Sequence, residues 1–358
     1  MLAIVHNNKK YFPEIGGIPR RPADNPRGYR SPEERQVHFE THMIPCADGV
    51  HIHSWLLHAP IQNWNEAPTI IFFHGNAGNI GLRLPNALQM IQYLTANVLM
   101  VEYRGYGNSD SIAPSERGLK LDAEAALKFA REHAGIDSSK LFLFGRSLGG
   151  SVAFHLAEYA AQTGVPLAGV MVENTFLSIS SMVDQLMPFL TPIKPFVLKI
   201  GWDSQRIVPN LDRTPLLFLA GDKDELVPHS HMRDLHAAAV RAAASVSDKG
   251  TAAVANNLVR LHIVPNGTHN ESWIQGGPAY WDAMRSFMSA ALQQQQPGTR
   301  IIASSSSTPT TMNSSSAASI TNSDNVKSSI PIMSSRFIDI AKEAVKGAGN
   351  KNGQKKEL

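Results

Sequence analysis

Gly145-Arg146-Ser147-Leu148-Gly149 stands between the apolar run Leu141-Phe142-Leu143-Phe144 and a helix-forming stretch from Ser151 to Ala157. A strand that turns sharply into a helix presents the side chain at the turn, and its strained backbone tolerates only small residues two positions to either side. Gly145 and Gly149 fill those positions, and Gly150 lets the helix start pack close to the strand. Ser147 is therefore a candidate nucleophile. A serine hydroxyl is weak at neutral pH, so it needs an imidazole within hydrogen-bond reach and a carboxylate to orient that imidazole.

The chain has 14 histidines. His262 lies within an apolar run and reads as a packed side chain, while His229 and His231 sit where a helix should begin after Pro228. His269, in Gly267-Thr268-His269-Asn270, follows the run Leu261 to Val264 in a loop from which a base can reach over a serine, and it is the expected base. Two acids follow the run Leu216 to Leu219. Asp222, directly after Gly221, is placed to cap or turn the loop, whereas Asp224 sits further out and is the expected acid. A tetrahedral intermediate also needs backbone donors. Leu148 supplies one N–H directly after the nucleophile, and Asn76, in the Gly-rich loop His74-Gly75-Asn76-Ala77-Gly78-Asn79, is expected to supply the second.

The elements that must hold these residues follow from the apolar pattern. Two alternating segments between about residues 36 and 59 flank Ala47-Asp48-Gly49 and read as a hairpin. Thr69 to Phe73, Val98 to Val101, Leu141 to Phe144, Gly169 to Val172, Leu216 to Leu219 and Leu261 to Val264 read as strands buried on both faces. Helical stretches such as Ala123 to His133, Ser151 to Ala161 and Met232 to Ala244 separate them. The fold class is α/β, with a mostly parallel sheet covered by helices on both faces and the polar loops gathered beyond the carboxyl ends of the strands. Phe176, Met182, Leu186, Met187, Phe189, Leu190 and Phe196 to Leu198 are expected in a small cap over the pocket.

Residues 1 to 35 are rich in Pro, Gly and Arg without a period and read as an irregular arm, and the main domain is expected over 36–295. The tail 296–358, dominated by Ser, Thr and Asn, reads as disordered, with a short basic helix around Phe337 to Lys346. Ala242 to Asn257 reads as a surface loop without catalytic effect. A net charge of +3 spread over 358 residues leaves no footprint for nucleic acid. Cys46, the one cysteine, excludes an intrachain disulfide and reads as a structural thiol. No apolar stretch approaches the roughly 18 residues that cross a bilayer. The terminal Lys355-Lys356-Glu357-Leu358 departs from an endoplasmic-reticulum retention signal by a lysine where an acid is expected. Asn266-Gly267-Thr268 and Asn270-Glu271-Ser272 are formal glycosylation sites, expected to be unused because a glycan there would obstruct the pocket.

His74 to Asn79, Tyr103-Arg104-Gly105-Tyr106-Gly107, Gly145 to Gly150, Val172 to Ile179 and Gly267 to Asn270 together resemble the α/β-hydrolase domain-containing protein thirteen group, which includes fungal bud-emergence relatives. The resemblance spans roughly residues 11 to 290. It implies an α/β-hydrolase fold with Ser147, Asp224 and His269 in the triad positions, and a membrane-anchored serine hydrolase for which protein depalmitoylation is suggested. Similar proteins carry a hydrophobic anchor upstream of a segment like Tyr11-Phe12-Pro13-Glu14, which this chain is expected to lack. Membrane association then enters as peripheral contact, with the compartment, cytoplasm or endoplasmic reticulum, left open.

The expected activity is hydrolysis of a carboxylic ester or thioester with a hydrophobic acyl group through an acyl-serine intermediate. Its expected partner is an acyl ester or an acylated protein. That route needs no metal and no organic cofactor. A small-ester hydrolase or peptidase on the same scaffold is the alternative, since a fold does not fix a substrate. A non-catalytic binding module is a further alternative, and its mark would be a missing elbow or triad residue. Oligomeric state is not fixed by these residues.

Overall fold

The computed structural model describes residues 11–14, 17–186, 201–246 and 258–295. Eight strands form one sheet: β1 (Phe39–Pro45), β2 (His51–Leu57), β3 (Thr69–Phe73), β4 (Asn97–Val101), β5 (Leu141–Arg146), β6 (Gly169–Glu173), β7 (Leu216–Gly221) and β8 (Val259–Val264), in the order β1-β2-β4-β3-β5-β6-β7-β8. The hairpin pair β1–β2 and the β2–β4 pair are antiparallel, and all later pairs are parallel. Every residue of β3 to β7 is buried, which is what continuous Val, Ile, Leu and Phe runs require when helices cover both faces.

Alternate residues of these strands feed two cores. Ile71, Phe73, Leu143 and Val172 pack with α2 (Glu116–Glu132), α3 (Leu148–Gln162) and α6 (Ser230–Val246). Ile70, Phe72, Phe144 and Met171 pack with α1 (Leu84–Leu94) and α8 (Gly277–Gln295). The sequence of connections runs from β3 to β4 on one side, then back across β3 to β5 on the other. Such a reversal opens a crevice at the carboxyl ends of β3 and β5, and the loops bearing Asn76 and Ser147 leave those two strands.

β3 has the expected bounds and β4 to β8 exceed theirs by one or two residues, but β8, expected to be buried on both faces, is half-buried except at Val264 because it is an edge strand of the sheet. Helix α2 begins at Glu116 rather than Ala123, because the Ser115 hydroxyl accepts from the Gly118 N–H and caps a first turn with no apolar stripe to mark it. The expected surface loop from Ala242 needs correction: α6 continues to Val246 and buries Ala243. The described residues of the arm, 11–14 and 17–35, hold short 3-10 turns and a β-bridge from Phe12 to Ala77, and they are built into the domain. Tyr11, Ile18 and Tyr29 are buried, and the Trp202 indole donates to the Tyr11 hydroxyl at 3.1 Å. Of the expected cap, Phe176 and the helix α4 (Ile179–Leu186) are described, with Met182 and Val183 buried; the single-turn helices α5 (Ser204–Ile207) and α7 (Ser272–Gln275) precede β7 and α8. Met187 to Leu198, residues 247–257 and the tail 296–358 lie outside the described residues. Among the described residues no helix is long and apolar enough to cross a membrane.

Cys46 is buried after β1 with its thiol 3.4 Å from the Asp122 carboxylate, and burial together with that negative charge pushes it up to about 12. It stays protonated and inert.

Candidate active site

Ser147 is the residue that caps α3, with φ 54° and ψ −120°. A non-glycine residue there carries strain of about 1–3 kcal/mol, which the surrounding structure must hold in place. It does so from three sides. The Ser147 N–H donates to the Glu173 carbonyl at 2.9 Å, and the Ser147 carbonyl accepts from the Thr175 hydroxyl at 2.7 Å and the Gly150 N–H at 2.9 Å. The glycines enable the approach: a Cβ on Gly145 would run into the Gly149 carbonyl, and one on Gly149 into the Phe73 carbonyl. Ser147 is half-buried in a stretch whose other residues from Leu141 to Gly150 are buried.

His269 Nδ1 lies 2.8 Å from Asp224 Oδ2, with the imidazole nearly buried and the carboxylate fully so. The other carboxylate oxygen, Oδ1, accepts the Leu226 and Val227 N–H groups at 2.9 and 2.8 Å. Both oxygens are thus engaged, and Nδ1 donates to the carboxylate, leaving Nε2 with a lone pair to accept a proton. Asp222 is placed differently. Its N–H donates to the Val264 carbonyl at 3.1 Å, and its Oδ1 is buried with no partner among the described residues. His231 enters α6, as expected, and accepts the Leu177 N–H at 3.1 Å. His262 is half-buried on β8 and its burial lowers its basicity.

Asn174 and Thr175 join these pieces, and nothing in their local sequence assigned them a part. While Thr175 grips the Ser147 carbonyl, the Asn174 side-chain amide lies 3.0 Å from the His269 carbonyl and 3.1 Å from both the Thr268 carbonyl and the Ser272 hydroxyl. Its Oδ1 accepts the Gly221 N–H at 2.9 Å, where the acid loop begins. Asn174 itself sits at φ 49°, a left-handed conformation that asparagine tolerates better than most residues. The buried Asn174 side chain therefore spans the acid and base loops, while its neighbour Thr175 holds the nucleophile turn. Asn174→Ala is expected to cost about 1–3 kcal/mol in denaturant unfolding, because the Gly221 N–H loses its acceptor in a buried setting. It should also lower kcat by about a hundredfold through looser placement of His269. An unchanged kcat in the destabilised variant would confine Asn174 to stability.

The loop after β3 is held as firmly. His74 is buried with Nδ1 donating to the Gly75 carbonyl at 2.7 Å, and its burial beside Arg83 pushes it down to about 3, so it stays neutral. The Tyr103 hydroxyl donates to the His74 carbonyl at 3.0 Å. The Tyr106 hydroxyl lies 3.0 Å from the Asn76 carbonyl and 2.9 Å from its side-chain oxygen, and accepts the Phe12 N–H at 3.2 Å. Residue Phe12 also forms a bridge with Ala77. The Asn76 side-chain oxygen thereby faces Tyr106. Gly75 lies against Ser147, where an added Cβ would stand 3.6 Å from the serine Cβ. Leu148 opens a 15-residue helix, so its N–H has no partner within the helix and adds to a positive dipole end. Beneath the turn, Arg146 pairs with Glu173 at 2.7 Å and bonds Asn86 at 2.9 Å, all buried, while the Tyr280 hydroxyl donates to Glu173 at 3.1 Å.

An eight-stranded, mostly parallel sheet with a strained serine between its fifth strand and the following helix defines the α/β-hydrolase class. A profile of the alpha/beta hydrolase fold matches residues 68–198. The chain is 34% identical to the alpha/beta hydrolase domain-containing protein WAV2 of Arabidopsis thaliana, over 72% of this chain and 81% of that one. It is 33% identical to the protein bem46 of Schizosaccharomyces pombe, over 75% and 84%. It is also 33% identical to the uncharacterized membrane protein YNL320W of Saccharomyces cerevisiae, over 72% and 82%. The chain belongs to the α/β-hydrolase family, as its motifs indicated. Among solved structures, the esterase Pf2001 of Pyrococcus furiosus shares the fold with a TM-score of 0.55 at 16% identity, over 76% of this chain and 98% of that one. The carboxyl esterase 2 of Tuber melanosporum does so with a TM-score of 0.57 at 14% identity, over 78% and 94%.

Proposed function

We propose that the protein hydrolyses carboxylic esters or thioesters bearing a hydrophobic acyl group, acylated proteins among them, with Ser147 as nucleophile. The observation that carries this reading is a serine held at φ 54° beside loops that present a 2.8 Å histidine–carboxylate pair. Ser147 Oγ attacks the acyl carbonyl as its proton passes to His269 Nε2, and the Leu148 and Asn76 N–H groups receive the developing oxyanion. Collapse expels the alcohol or thiol, which takes the proton from His269, and water then frees the acid by the same steps. Asp224 keeps the imidazole in the required tautomer. The acyl preference rests on apolar surface beside the pair: Leu226, two residues after Asp224, is 44% exposed, and Ile274, just beyond His269, is 39% exposed. The yeast relative named a membrane protein supports work at a membrane surface.

The test is labelling by a fluorophosphonate probe together with a substrate panel. Covalent labelling and faster cleavage of a long-chain acyl thioester than of a short ester or a peptide are expected. An enzyme that labels but prefers peptides would overturn the acyl assignment and leave the serine mechanism standing.

A further inference from the structure

Glu40 and His42 stand two residues apart on β1 and so share one face of the sheet, the face that carries the buried Ile44. Glu40 pairs with Leu56 across the hairpin, which places His58, two residues beyond Leu56, on that same face. His133, the residue that ends α2, packs against it from outside. Three imidazoles thus converge on one carboxylate. His42 Nε2 and His133 Nε2 each lie 3.0 Å from Glu40 Oε2, and His58 Nε2 lies 3.0 Å from Glu40 Oε1. The ligand atoms of Glu40, His42 and His133 all fall within 4.8 Å of one another.

From this geometry we propose a divalent transition-metal site, suited to zinc, with His42 Nε2, His133 Nε2 and Glu40 Oε2 as its protein ligands and water completing the shell. Two imidazoles and a carboxylate match zinc rather than magnesium or calcium, which favour oxygen alone. His58 then serves as the outer partner that holds the second carboxylate oxygen and keeps Glu40 monodentate, the usual companion of a metal-bound group. The rings are already positioned. His58 stacks on Trp64 at 3.8 Å between centroids, and His42 lies 4.6 Å from the Phe129 ring. The last turn of α2 turns its negative dipole end toward the cation. One contact must give way: Gly135 N–H donates to His133 Nδ1 at 3.1 Å, which places the ring proton on Nε2, so loading moves that proton to Nδ1 and releases Gly135.

The site sits at the β1 edge, with β2, β4 and β3 between it and the Ser147 strand, and it ties the end of α2 to the hairpin. It is independent of the hydrolytic reading. The role it supports is structural: an ion that fastens two elements stabilises the folded chain by its affinity for that state.

The full chain, stripped with chelator, would be titrated with cobalt(II) and then zinc(II), following the visible bands of low-coordinate cobalt and the unfolding temperature. One equivalent of cobalt displaced by zinc, and a zinc-dependent rise in unfolding temperature, are expected. Both should be lost in His42→Ala and in Glu40→Gln, while His58→Ala should weaken binding by about ten- to a hundredfold. His155→Ala, which removes a separate imidazole 3.1 Å from Glu124, is the control and should bind as the parent does. Unfolding in chelator checks that each variant is folded. Absence of a saturable equivalent, or the same equivalent in His42→Ala and Glu40→Gln, would overturn the site.

Discussion

Replacing Ser147 by alanine is expected to abolish fluorophosphonate labelling and to lower turnover by about ten-thousand- to a million-fold, the range found when a member of such a triad is removed. The size follows from the two-step route, because without the hydroxyl no acyl intermediate forms and water must attack directly, helped only by the oxyanion donors. The fold should survive, since the contacts that fix the turn run through the Ser147 backbone, from its N–H to Glu173 and to its carbonyl from Thr175 and Gly150. Ser147→Gly supplies a second readout. Glycine adopts φ 54° without the strain that serine carries there, so this variant should be inactive yet as stable as the parent or more so, by up to about 1 kcal/mol after glycine's entropy cost. Undiminished labelling of Ser147→Ala, read by gel fluorescence at matched protein concentration, would remove Ser147 from the mechanism.

The strands were legible because a parallel sheet covered on both faces demands runs such as Thr69-Ile70-Ile71-Phe72-Phe73, and few other structures accept them. The elbow was legible because its constraint is local: Gly145 and Gly149 are each within two residues of the serine whose turn they permit. Asp224 and Asp222 could be weighed by their distance from the strand end alone. What the sequence did not disclose lies in contacts between distant segments. The Asn174 amide meets the loop at Thr268 and His269, and no periodicity or spacing encodes that meeting. Tyr103, Arg104 and Tyr106 entered only as parts of a motif. Their chemistry appears once Tyr103 and Tyr106 brace the Asn76 loop and Arg104 joins Asp122 at 2.8 Å to Asp48 of the hairpin turn. Tyr11 and Phe12 read as arm because nothing near them marks a strand, yet Phe12 bonds the loop that carries Asn76. The Glu40 cluster shared this fate, since its members lie on the hairpin and at the end of α2, and no spacing links those two segments.

Asp224→Asn is the second large effect, expected to lower kcat by about ten-thousand-fold while leaving the geometry intact. The reason is specific to the loop. Asp224 Oδ1 accepts two N–H groups, from Leu226 and Val227, so an asparagine amide must keep its oxygen there and turn its NH2 toward His269. That NH2 can only donate, which forces Nδ1 of His269 to accept and moves the ring proton to Nε2, where it blocks uptake of the serine proton. The reverse flip would set NH2 against two backbone donors. Asp222 is under no such constraint, because its Oδ1 has no partner among the described residues and its N–H, rather than its side chain, bonds Val264, so Asp222→Asn should change kcat little. Steady-state kinetics on both variants, with nitrogen chemical shifts to identify the His269 tautomer, make the comparison. A collapse of activity in Asp222→Asn with Asp224→Asn near the parent would move the acid to the other end of that short loop and leave the fold untouched.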